Sequence, residues 1–182
     1  MPLPTCSPGC DNTLPVFLFD DCSPELNAGN ITWLYTTNRG NPLTDWTDEA
    51  EWAARIDNDS TDSAAIRRIR VIGSKPAPDK PETVISGDRT YYGKASHVID
   101  FRADETNAIN HEALRQMECG QDILLWYETI GGLRWGGNEG IEASIKLDEV
   151  IPESSSEFIN FVGQAKWKAK FTPERIDVAL IS

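Results

Sequence analysis

The stretch Gly140 to Val150, GIEASIKLDEV, sets apolar Ile141, Ala143, Ile145 and Leu147 against polar Glu142, Ser144, Lys146 and Asp148. A strict period of two sends successive side chains to opposite faces, so this segment reads as a β-strand with one dry face and one wet face. Phe158 to Phe171, FINFVGQAKWKAKF, repeats the pattern: Phe161, Ala165, Trp167, Ala169 and Phe171 stand opposite Lys166, Lys168 and Lys170. A slip of one residue would turn either strand inside out, so both registers are strongly specified.

ITWLYTT (31–37) is rich in β-branched and aromatic residues and reads as a strand. IRRIRVIG (66–73) sets Arg68 and Arg70 against Ile69 and Val71, a half-buried strand. ASHVIDFRA places Ile99, Phe101 and Ala103 opposite Val98, Asp100 and Arg102. DILLWYET is apolar in consecutive positions, which predicts a strand buried on both faces for part of its length. GGLRWGG reads as a short strand between glycine corners.

Helical spacing appears twice. TDWTDEAEWAARI predicts a short helix capped by Thr44 or Thr47, with Asp48 and Glu49 in its first turn and Trp52 and Ile56 on its docking face. NAINHEALRQMECG predicts the principal helix, capped by Thr106 or Asn107, with Ile109, Ala113 and Met117 on one face and Gly120 ending it. The fold class expected is mainly β (α+β): an antiparallel rolled sheet or small β-barrel, with that helix packed on it and extended arms besides.

The chain of 182 residues, 40% hydrophobic and 25% charged, is the size and composition of one folded domain, residues 1–182. Residues 1–30 are turn-rich and read as an amino-terminal arm whose one apolar run is VFLF. Residues 74–83 carry Pro76, Pro78 and Pro81 and read as an exposed loop or arm, since proline breaks both helix interiors and central strands. The opening MPLPTC lacks the basic and apolar regions of a secretory signal, and no apolar run is long enough for a membrane-spanning helix. No membrane anchor is expected.

Seventeen Lys and Arg against 29 Asp and Glu give a net charge of -12, which argues against a protein that grips nucleic acid. The two histidines, His97 and His111, lack partners at metal-ligand spacing. Asp20 and Asp21 would need a second carboxylate and a cleft to act as an acid–base pair. No nucleophile elbow, phosphate loop or dinucleotide fingerprint occurs, and GGLRWGGNEG reads as turns around a strand. No catalytic residue, cofactor or metal is therefore expected. Cys6, Cys10, Cys22 and Cys119 do not follow zinc spacing, and free thiols, a staple such as Cys6–Cys10 or Cys10–Cys22, and structural zinc all stay open.

Sheet edges and wet faces must be covered, paired or charged, which turns attention to assembly. The row of Lys166, Lys168 and Lys170 faces solvent or an acidic partner, and Glu142 and Asp148 on the neighbouring strand are candidates within the sheet.

Three segments, SGDRTYYGKASHVIDFRADETNAINHEALRQMECG, LLWYETIGGLRWGGNEGIEASI and KWKAKFTPERI, follow a strand, helix, strand order. In size, order and character this resembles the tail-tube (major tail) proteins of bacteriophages and the related tube proteins of contractile injection systems. The resemblance implies a structural virion protein, assembled in the bacterial host cytoplasm into the tail. Its subunits would form homohexameric rings that stack into a tube, touch other tail and neck proteins, and pass DNA through the lumen without binding it specifically. An acidic lumen would repel phosphate and let DNA slide. The arms would reach neighbouring rings; the cysteine-bearing leader departs from a simple tube subunit. Two alternatives stand beside this: a tail terminator, neck or capsid-decorating protein, or a carbohydrate-binding β-sandwich module using some of the six tryptophans. Trp33, Trp126, Trp135 and Trp167 fall in strands, where core packing is the commoner use.

Overall fold

A computed structural model describes residues 27–87, 89–154 and 156–178. In chain order its elements are β1 (Ile31–Asn38), α1 (Glu49–Arg55), β2 (Arg67–Ser74), β3 (Glu82–Ser86), β4 (Arg89–Tyr92), β5 (Ala95–Ala103) and α2 (Ala108–Met117). Then follow β6 (Gln121–Thr129), β7 (Leu133–Trp135), β8 (Ile141–Val150), β9 (Asn160–Ala169) and β10 (Arg175–Asp177). Six strands run β1-β2-β5-β9-β8-β6, and β6 pairs back onto β1, closing an antiparallel barrel. The mainly β class, the barrel and the helix against it agree with the sequence pattern.

Strands β8 and β9 supply much of the barrel's interior. Ile141, Ala143, Ile145 and Leu147 of β8 and Phe161, Ala165 and Trp167 of β9 are buried beside Ile99 and Phe101 of β5. Gly163 occupies an inward position on β9, and a Cβ there would lie 2.7 Å from the Phe101 ring and 2.8 Å from Leu147 Cβ. The missing side chain is filled by Phe101 from the adjacent strand. β9 ends at Ala169, so Phe171 lies beyond the ladder and is half exposed instead of facing inward.

A second core explains why β6 is apolar on both faces. The excursion between β1 and β2 folds over the outside of the barrel, laying Leu43, Trp46, Trp52 and Ile66 on Tyr35, Leu124 and Trp126. Arg55 ties it together through the carbonyls of Asn41, Pro42 and Ala64. The cap of α1 is Asp48, which accepts from the Ala50 amide, and neither Thr44 nor Thr47. Thr47 is already engaged with the Asp45 carboxylate.

Asn107 caps α2, accepting from the amides of Ile109 and Asn110. The helix covers one mouth of the barrel with Leu114 and Met117, and His111 meets the Phe161 ring edge-on at 5.6 Å. Ile109 is 77% exposed and Ala113 is also exposed, so the apolar seam lies one residue round from the face expected. The cause is Leu114: the largest apolar side chain of the middle turn takes the barrel mouth and rotates its neighbours outward.

The proline run is shorter than 74–83. Ser74 still belongs to β2, and Glu82 and Thr83 pair with Tyr92 and Tyr91 in a hairpin of β3 and β4 that joins no other strand. At its base the Gly93 amide donates to the Pro81 carbonyl, and Asp79 bridges to Ser96.

Candidate functional site

The most concentrated chemistry among the described residues is internal. Glu128 and Arg134 face each other across β6 and β7, either side of the Ile130–Gly132 turn. Arg134 donates from Nε and Nη2 to Glu128 Oε2 at 2.9 and 2.7 Å, and the Tyr35 hydroxyl donates to the same oxygen at 3.1 Å. The guanidinium lies over the rings of Trp52 and Tyr35, 4.2 and 4.8 Å from their centroids, in cation–π contact. Burial, reinforced by the Glu128 carboxylate, pushes the Tyr35 phenol up to about 12. A phenol held protonated and a carboxylate whose Oε2 already accepts three hydrogen bonds make a poor acid–base pair. This cluster is a tie between the barrel wall and the excursion packed on it.

Among the described residues, two surface grooves are deep enough to consider, and neither is lined by that cluster. The larger, 520 Å³, lies between α2, β1, β2 and Asn58, Asp62 and Ala65 of the excursion, with Leu114 and Ile123 of the barrel core in its wall. Its three arginines are already engaged: Arg68 stacks on Trp33 at 4.5 Å, Arg67 donates to the carbonyls of Asp57 and Ser60, and Arg70 pairs with Glu105 at 3.9 Å. The smaller, 370 Å³, lies between Arg70, Ile72, Asp104, Glu105 and Phe158.

His97 is buried and stacks on Trp167 at 5.2 Å, with Nε2 3.3 Å from the Ala169 carbonyl. Burial holds its imidazole below the ordinary value, and the nearby charges of Lys75 and Lys80 act in the same direction. His111 pairs with Glu149 at 3.2 Å on the surface. The structure keeps the two histidines apart, one in the core and one on α2. Cys119 is exposed just past α2, while Cys6, Cys10 and Cys22, with Asp20, Asp21 and VFLF, lie outside the described residues. Among the described residues no group of three His, Cys, Asp or Glu side chains is placed to hold a metal ion.

Trp126 and Trp167 are buried, and Trp126 donates from Nε1 to the Gly137 carbonyl at 2.8 Å. These indoles are spent on packing.

The lysine row does line the outside of β9, but its expected partners are taken. Lys166 stands across from Ser144 and Val98, while Glu142 pairs with Arg39 at 2.5 Å and Asp148 with Lys146 at 3.7 Å. Lys170 instead lies over the rings of Tyr91 and Phe171.

The most unusual surface was missed by sequence reasoning. On the β3–β4 hairpin, Val84, Ile85, Tyr91 and Tyr92 are each more than half exposed, and the cross-strand register spreads them over both faces of the ribbon. The signal was present in ETVISGDRTYY, two β-rich runs around a Gly-Asp turn. A second exposed apolar group, Val150, Ile151, Phe158 and Ile159, crowns the β8–β9 connection, with Phe158 83% exposed. Contiguous exposed apolar side chains mark contact surfaces. Comparison of the chain with protein-family models, with curated proteins and with solved structures finds no match.

Proposed function

We propose that this chain is a structural, self-assembling subunit of the bacteriophage tail-tube type, forming hexameric rings that stack into a conduit for DNA in the virion tail. The observation that carries this reading is the hairpin: a two-stranded ribbon with exposed apolar side chains on both faces, which pairs with no strand of the closed barrel. Such a ribbon is marginal alone in water and gains stability only against another surface. A barrel filled by its own side chains and covered at one mouth by α2 suits a building block. The net charge of -12 suits a passage that repels phosphate. Electron microscopy of negatively stained, purified protein tests the reading. Hollow rings or tubes are expected; a species that stays monomeric at high concentration, with other tail components supplied, overturns it.

A further inference from the structure

We propose that the end of the barrel where β5 begins holds buried water, one molecule of which bridges the Trp167 Nε1–H group and the unprotonated Nδ1 of His97. The site lies inside each copy of the chain and does not depend on assembly.

Among the described residues, three buried side-chain nitrogen or oxygen atoms have no hydrogen-bond partner: His97 Nδ1, Trp167 Nε1 and Thr129 Oγ1. Their residues are 1%, 6% and 5% exposed, so surface water does not reach these atoms. All three gather at one end of the barrel. The β5–β9 ladder runs from Ala95 opposite Ala169 to Ala103 opposite Phe161, and His97 stands opposite Trp167 near its start. Each is two positions from a core residue of its own strand, Ile99 and Ala165, and so points inward. Thr129 lies two positions beyond Tyr127 on the same face of β6, and the Tyr127 ring centroid is 6.4 Å from that of Trp167. At the α2 end, where the core is Leu114, Leu147 and Phe161, no such atom occurs among the described residues.

The two rings select the guest. His97 Nε2 lies 3.3 Å from the Ala169 carbonyl, which can only accept, so the neutral ring carries its proton on Nε2 and a lone pair on Nδ1. Trp167 Nε1 can only donate. The rings are stacked with centroids 5.2 Å apart and planes 7° from parallel, so an in-plane lone pair and an in-plane N–H cannot meet directly. A group that accepts from the indole and donates to the imidazole satisfies both, and water is the smallest that does. Buried waters make about three such bonds. Lys75, partly buried just past β2, stands close enough for its charge to act on His97 and offers a further donor. The Thr129 hydroxyl offers a further acceptor. The inward ladder neighbours Ala95, Ala165 and Ala169 are small, so bulk does not crowd the rings from their own strands. An anion is the rival guest, drawn by Lys75 and Lys80, but it would face the Nδ1 lone pair.

Magic-angle-spinning NMR of the sedimented, isotope-labelled full chain tests the site in assembled and unassembled protein alike. Magnetisation from water should reach the Trp167 indole N–H several-fold faster than that of Trp126. Trp126 is the internal control: it too is buried, but its Nε1–H is already bonded to the Gly137 carbonyl at 2.8 Å. The His97 nitrogen shifts at neutral pH should show Nε2 protonated and Nδ1 as an acceptor. Trp167→Phe keeps a ring beside His97 and removes the donor, so the Nδ1 shift should move; if that variant does not fold, the comparison of the two wild-type indoles still decides. Equal transfer to both indoles, a His97 ring protonated on Nδ1, or an Nδ1 shift unmoved in a folded Trp167→Phe chain overturns the bridge. Trp167 signals that move when chloride is exchanged for sulfate at constant ionic strength place an anion there instead, and overturn it equally.

Discussion

Replacing Arg134 with Met tests how the barrel and its outer excursion are held together. Arg134 is 1% exposed, and its two N–H groups supply two of the three hydrogen bonds to Glu128 Oε2. Methionine fills similar space between the Trp52 and Tyr35 rings but leaves the carboxylate with the Tyr35 hydroxyl alone. Removing one partner of a buried ion pair costs about 3–5 kcal/mol, because the other charge stays buried and uncompensated. In a protein of this size each kcal/mol moves the melting temperature by about 2–4 °C, so a fall of about 6–20 °C is expected. The double replacement Glu128→Leu with Arg134→Met removes both charges and should recover most of the loss. Urea unfolding followed by tryptophan fluorescence reads both, since Trp52 and Trp126 sit in this cluster with ring centroids 5.5 Å apart. A loss below about 1 kcal/mol for Arg134→Met, or a double variant as unstable as the two single changes added together, would refute the tie.

Gly163→Ala should destabilise the barrel by about 1–3 kcal/mol through overpacking, because its Cβ would meet Phe101, Leu147 and the Lys146 carbonyl within 2.9 Å. Gly29→Ala, with nothing within 4 Å of the added carbon, should be neutral in the same melting assay. His97 gives a pH dependence with a definite sign. Its folded value lies below the ordinary one, so above about pH 6.5 both folded and unfolded forms are neutral and nothing is lost. Below that the unfolded chain takes up a proton that the folded chain resists, and stability falls by at most about 1.4 kcal/mol per pH unit. Chemical denaturation at pH 7.5 and pH 5.5 should show a smaller difference for His97→Phe, which keeps the ring stack on Trp167; an equal difference would assign the acid sensitivity elsewhere.

Strand existence and strand facing were legible because they depend on local alternation alone. β8 declares its inward residues by period two, and Asn107 announces α2 by a cap whose partners are two and three residues away. Facing was misread where a distant surface chooses it. Leu114 instead of Ile109 enters the barrel mouth because β8 and β9 put that mouth there, and Phe171 turns out because the ladder stops at Ala169.

Residue order alone establishes that this protein is mainly antiparallel β, with one wet face on strands such as β8 and β9, a principal helix and a strongly acidic balance. These follow from residue order, side-chain period and charge count, which need no partner. Only the tertiary structure decided that β6 returns to β1 to close the barrel, and that Glu128 and Arg134 are sealed under Trp52. It also decided that the lysines' expected carboxylates are bonded to other residues, and that the apolar hairpin and the apolar crown lie at opposite ends. The closing β1–β6 ladder, the Trp52 ring over Arg134 and the Arg39–Glu142 pair join residues far apart in the chain, and the free energy that fixes them comes from surfaces that exist only once the chain has folded.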